Sequence, residues 1–124
     1  MKQTTYQEIF TLLIPRQKMY SFRIIGSVLY MSINPKNILR VSLHQSSTMS
    51  YSGFNLCIIN KNFGKIDDNI VYFSTNSHKQ LTAIDKHAGT FEWDNPLSQG
   101  EIDKIRTQIE NYIDMFDGLL FMDC

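Results

Sequence analysis

The spacing of the last isoleucines limits the possible folds of this chain more than any other feature. Ile102, Ile105, Ile109, Tyr112, Ile113 and Phe116 recur three and four residues apart, so a helix gathers all six on one stripe. Ser98 precedes Glu101 by three residues, the spacing of a capping box, and Gly118 stands where a helix closes in the left-handed conformation. About 19 residues at 1.5 Å each make a rod of roughly 28 Å. A rod with one apolar stripe needs a flat apolar surface of similar length to lie on.

The middle of the chain supplies that surface in strand periodicity. YSFRIIGSVLYMSI is rich in aromatic and β-branched residues and is broken once, at Gly26-Ser27, which predicts a hairpin with Gly26 at positive φ in a two-residue II′ turn. Asn34-Pro35-Lys36-Asn37 reads as a second turn, and ILRVSLH then puts Leu39, Val41 and Leu43 on one face and Arg40, Ser42 and His44 on the other. FNLCIIN continues as a largely buried strand, KNFG and the polar IDDN form a turn region, and IVYFST follows as another strand. LTAID is either a short strand or one helical turn, and TFEW is a last strand closed off by Pro96. At the other end, Thr5 and Glu8 have capping-box spacing, and Tyr6, Ile9, Phe10, Leu13 and Ile14 follow a helical period that stops before Pro15. The expected architecture is therefore α+β. It has an N-terminal helix, an antiparallel sheet of about five or six strands, and the long C-terminal amphipathic helix packed on one face, in a single domain over residues 1–124.

Ordinary globular composition supports one soluble domain: 43% of the 124 residues are hydrophobic and 19% charged. No apolar run is long enough for a membrane helix, and Ile9–Ile14 is too short for a signal-peptide core. Cys57 and Cys124 show no CxxC spacing and read as free thiols in a reducing, cytoplasmic compartment.

The zero net charge conceals an asymmetry. Residues 1–66 carry eight Lys and Arg against Glu8 alone, a balance of +7, and residues 67–124 carry four against eleven acids, a balance of −7. Glu92, Asp94, Asp103, Glu110 and Asp114 are expected to face outward as an acidic surface for a basic protein partner. Arg23 and Arg40 on strands, and Lys36 near a strand end, are interleaved with Tyr20, Phe22 and Tyr30. Basic and aromatic side chains together on a sheet face suit single-stranded nucleic acid.

Signatures of catalysis are missing. His44, His78 and His87 have no i, i+4 partner for a metal, Asp67-Asp68 lies outside any EF-hand pattern, and no GxSxG, GxGxxG or GxxxxGK occurs. No catalytic residue, metal or cofactor is expected. Trp93, the only tryptophan, is expected to complete the core beside Phe91, with Glu92 and Asp94 pointing away. The function these features suggest is non-catalytic protein binding, of the inhibitor or immunity kind found in bacterial toxin–immunity and phage anti-defence systems. A small nucleic-acid-binding module is the alternative.

Overall fold

The alternating middle of the chain folds into a five-stranded antiparallel meander. In the computed structural model, which describes residues 3–15, 22–45, 52–73, 81–85, 87–93 and 96–117, the order is β1 (Gln3–Thr5), α1 (Tyr6–Leu13), β2 (Phe22–Ile25), β3 (Val28–Ser32), β4 (Asn37–Gln45), β5 (Ser52–Asn60), β6 (Gly64–Tyr72), β7 (Leu81–Asp85), β8 (Thr90–Trp93) and α2 (Gln99–Asp117). Strands β2 to β6 lie side by side in sequence order. Ile25 pairs with Val28 across Gly26-Ser27, and Gly26 takes φ +63° while no non-glycine φ is positive among the described residues, as a II′ turn demands.

Asparagines shape the turns at the far end of the sheet. Asn34 Oδ1 accepts hydrogen bonds from the backbone N–H groups of Lys36 (2.9 Å) and Asn37 (2.8 Å). Asn60 Oδ1 does the same for Asn62 (2.9 Å) and Phe63 (3.1 Å). Short amide side chains stand in here for a backbone turn. Asn37 and Asn60 face each other in the ladder, and Asn60 Nδ2 donates to Asn37 Oδ1 at 2.9 Å.

One face of the meander is core. Leu29, Met31, Leu39, Val41, Phe54, Leu56, Ile58 and Val71 are buried there, under both helices. On α2, Ile102, Ile105, Ile109, Tyr112 and Ile113 are buried and Phe116 is packed at the margin, as their spacing predicts. The capping box closes in both directions: Glu101 N–H donates to Ser98 Oγ (3.2 Å) and Ser98 N–H to Glu101 Oε1 (2.9 Å). Gly118 lies outside the described residues. α1 begins at Thr5, whose Oγ1 accepts from Glu8 N–H at 3.3 Å.

The structure departs from the sequence reading in having a second sheet, of three strands in the order β1-β8-β7. LTAID is a strand, and it pairs with TFEW rather than with the meander. The third member comes from the N-terminus because a helix-capping residue is itself extended. Thr5 has φ −115° and ψ 169°, and Gln3–Thr5 continues that geometry against Glu92, Phe91 and Thr90. A second departure concerns IDDN, which lies inside β6 rather than in a turn. Unbroken register from Gly53 and Tyr72 puts Asp67 opposite Ile58 on the helix side, and only beyond that pair does a bulge skip Ile66, so that Lys65 pairs with Ile59.

Rings join the two sheets. Phe10 and Phe54 lie 5.5 Å apart between centroids, Phe54 and Phe73 5.2 Å, and Phe73 and Trp93 5.5 Å. Tyr6 meets the edge of Phe91 at 4.7 Å and covers Gly89, where a Cβ would collide with the tyrosine ring. Trp93 is 4% exposed and completes the core. Truncating the centre of the α2 stripe with Ile109→Ala, at a residue with no exposed surface, should cost about 2–5 kcal/mol in denaturant unfolding. A loss below about 0.5 kcal/mol would contradict this packing.

Candidate binding surfaces

Among the described residues no helix packs on the second face of the meander. Cross-strand register arranges its side chains in rows, and one row reads Arg23, Tyr30, Arg40, Cys57, Asp68 from β2 to β6. Adjacent strands are about 4.8 Å apart, so the two arginines stand roughly 10 Å apart at their backbones with the tyrosine between them. Both arginines are exposed and Tyr30 is half-buried. Neither guanidinium has a hydrogen bond or ion pair among the described residues. The next row holds Ile25, Val28, Ser42, Asn55 and Ile70, and beyond it come His44, Gly53 and Tyr72.

Gly53 makes that last row possible. A Cβ there would run into the backbone of Val71 and Tyr72. Without one, the rings of His44 and Tyr72 meet across the gap, 5.8 Å apart and edge to face. The face is consequently mixed, with Ile25 56% exposed, Tyr72 41% and Ile70 38%. Lys65 Nζ and Asp68 Oδ2 form an exposed ion pair of 2.9 Å at the β6 edge, and the carboxylate's hydrogen bond and charge raise the lysine pKa.

Sequence reasoning had Arg23, Arg40 and Tyr30 on strands, and the register brings these three together. Phe22 does not join them: it pairs with Met31 and has the opposite parity. Lys36 sits in the turn at the sheet end, its backbone held by Asn34. Tyr20 lies outside the described residues. His44 lies on this face with Arg40, as the alternation of its strand predicts, whereas Ile70 and Tyr72 were missed as members of it. Parity counted from Asp68 signals them; parity counted from Gly64 does not, because the bulge at Ile66 reverses it.

Of the acidic set, Asp103, Glu110 and Asp114 share a stripe of α2 at i, i+7 and i+11, on the flank away from the core. Asp103 Oδ1 accepts from Gln99 Nε2 at 2.9 Å, and Glu110 and Asp114 are engaged within the chain. Glu92 is half-buried on β8, on the side opposite Phe91 and Trp93, and Asp94 lies outside the described residues. Arg106, on the same helix, is half-buried and donates from Nε to the Leu12 carbonyl at 2.8 Å.

Among the described residues no group of three or more His, Cys, Asp or Glu is placed to hold a metal, and no helix is long and apolar enough to cross a membrane. Cys57 is a buried free thiol, and His87 is exposed in the β7–β8 turn, its backbone N–H donating to Asp85 Oδ1 at 3.0 Å. Asp67 has a structural partner: Tyr112, 5% exposed, donates its hydroxyl to Asp67 Oδ2 at 2.7 Å.

No protein family, no curated protein and no solved structure matches this chain. The candidate surfaces therefore rest on their own geometry.

Burial, together with the carboxylate of Asp67, pushes the Tyr112 pKa far above its ordinary value of 10.0. A raised pKa keeps the folded tyrosine protonated where the unfolded one ionises, so this contribution is complete below about pH 10 and is lost as pH rises further. Denaturant unfolding of Tyr112→Phe should show a cost of about 1 kcal/mol at pH 7 and a shallower loss of stability above about pH 10 than the parent. Parallel pH profiles for the two proteins would contradict the assignment.

Proposed function

We propose that this protein is a non-catalytic binding domain and that single-stranded nucleic acid is the ligand of its open sheet face. The observation that carries the reading is the row Arg23–Tyr30–Arg40, in which two exposed guanidiniums flank an aromatic ring in direct register. Phosphates need cationic donors, and bases need a flat surface to stack on; arginine and tyrosine side by side serve both. His44 with Tyr72 provides a second ring pair two rows away, and the partly exposed Ile25 and Ile70 between them suit the apolar parts of sugars and bases. Recognition of this kind reads charge and stacking rather than sequence. A reducing cytoplasm, in which Cys57 stays a thiol, fits such a role.

A second reading is favoured by one specific observation, the alignment of Asp103, Glu110 and Asp114 along α2. It is an inhibitor of the immunity kind, masking a basic surface of a partner protein with that stripe. Acids so placed accelerate encounter more than they tighten the final complex. Reversing Glu110 and Asp114 to Lys should lower the association rate with such a partner and flatten its salt dependence.

The primary reading is tested by fluorescence anisotropy with a labelled single-stranded oligonucleotide. Arg23→Ala with Arg40→Ala should abolish measurable binding, and Tyr30→Ala should weaken it by about 1–3 kcal/mol. The parent's logarithmic salt slope should lie near −1.4, from about 0.7 per neutralised phosphate. Oligonucleotide binding that survives the double arginine variant would remove this reading.

A further inference from the structure

A groove of about 590 Å³ lies on the other side of the molecule, between the two helices. One wall is the start of the chain and α1, with Thr4, Glu8 and Thr11; the other is α2, with Ile102 and Arg106; Trp93 and Leu97 line it where β8 leads into α2. Its size falls within the roughly 300–1,000 Å³ of small-molecule sites. We propose that this groove binds a short apolar peptide by its free termini, with the carboxylate on Arg106 and the ammonium on Glu8.

The charges are what point to such a ligand. Glu8 projects from α1 and Arg106 from α2, both line the groove, and among the described residues neither forms an ion pair. A groove flanked by one anion and one cation that do not neutralise each other is complementary to a zwitterion. Each group is also already fixed. Arg106 donates Nε–H to the Leu12 carbonyl at 2.8 Å, which orients the planar guanidinium while the donors of its two terminal nitrogens remain, the pair that grips a carboxylate in two parallel hydrogen bonds. Glu8 Oε2 accepts from Thr4 Oγ1 at 3.3 Å, and Thr4 is 5% exposed. Side chains held in advance lose little freedom when a ligand arrives.

Apart from the two charges the lining is mixed, with the polar side chains of Thr4, Thr5, Gln7 and Thr11 beside apolar ones. Trp93, Leu97, Ile102 and Leu12 supply surface for an aliphatic body, and Thr11 contributes a hydroxyl at the rim. Inorganic anions fit poorly beside Glu8, and an uncharged hydrocarbon would leave both charges without a partner. A peptide a few residues long answers these features, since its termini are opposite in charge and the body between them is adaptable.

Trp93 is the only tryptophan in the protein and lines the groove, so its fluorescence reports occupancy directly. The full chain is titrated with trileucine, and with the same peptide N-acetylated or C-amidated. Trileucine should give a saturable change in emission with a Kd of about 1 mM or tighter. Blocking either terminus should weaken binding about tenfold or more, as loss of a charge-assisted hydrogen bond does. Glu8→Gln should erase the preference for a free amino terminus while sparing that for the carboxylate, and Arg106→Gln should do the reverse. The blocked peptides need no variant, so the test stands even if either substitution unsettles α1. The proposal is overturned if trileucine gives no saturable response in fluorescence and in amide NMR shifts, or if blocked and free peptides bind alike.

Discussion

The place of the small sheet on the meander depends on the contact of Phe73 with Trp93. The three-stranded sheet is built of strands three, five and four residues long, too little to bury its own apolar side. Phe91 and Trp93 need an outside surface, and the aromatic run from Phe10 through Phe54 to Phe73 provides it. Docking β8 there fixes where the chain leaves the sheet, and only five residues separate Trp93 from the first residue of α2. The start of the helix is thereby placed, and with it the mouth of the interhelical groove.

The other end of α2 is held by a different chemistry. Asn34 Nδ2 donates to the Phe116 carbonyl at 3.1 Å, so the amide that shapes the β3–β4 turn also satisfies one of the carbonyls that a helix leaves open at its end. With this bond at one end and the Tyr112–Asp67 and Arg106–Leu12 bonds along its length, the isoleucine stripe cannot slide along the sheet without breaking polar contacts. Asn37, fully buried beside this corner, keeps its Nδ2 without a hydrogen-bond partner among the described residues, a position an ordered water would satisfy.

Local signals made both helices and the first hairpin legible, because caps, periodicity and a glycine turn act over a few residues. What escaped the sequence is nonlocal. β1 has three residues and exists only because Thr4 meets Phe91. Asp67 looks like a turn residue until the Tyr112 hydroxyl arrives from a helix 45 positions away. Arg106 looks solvated, yet the Leu12 carbonyl is one of the last in α1 and lacks a partner along its own helix; the guanidinium fills that vacancy. The candidate sheet face was half legible: parity placed Arg23 and Arg40 on one side of their strands, but setting Tyr30 between them takes the register of two hairpins.

The separation of charge between the layers has a colloidal consequence. On the open sheet face Arg23, Arg40 and Lys65 stand against Asp68, whereas α2, behind the sheet, shows Glu101, Asp103, Glu110 and Asp114 against Lys104 and Arg106. With a formal net charge of zero at pH 7, no monopole offsets the opposite balances that these described side chains give the two faces. Two such bodies attract when the front of one faces the back of another, and the attraction is confined to about 8 Å at physiological ionic strength. Dissolved salt shortens that reach further, so any association of copies through these two faces is strongest in neutral buffer of low ionic strength.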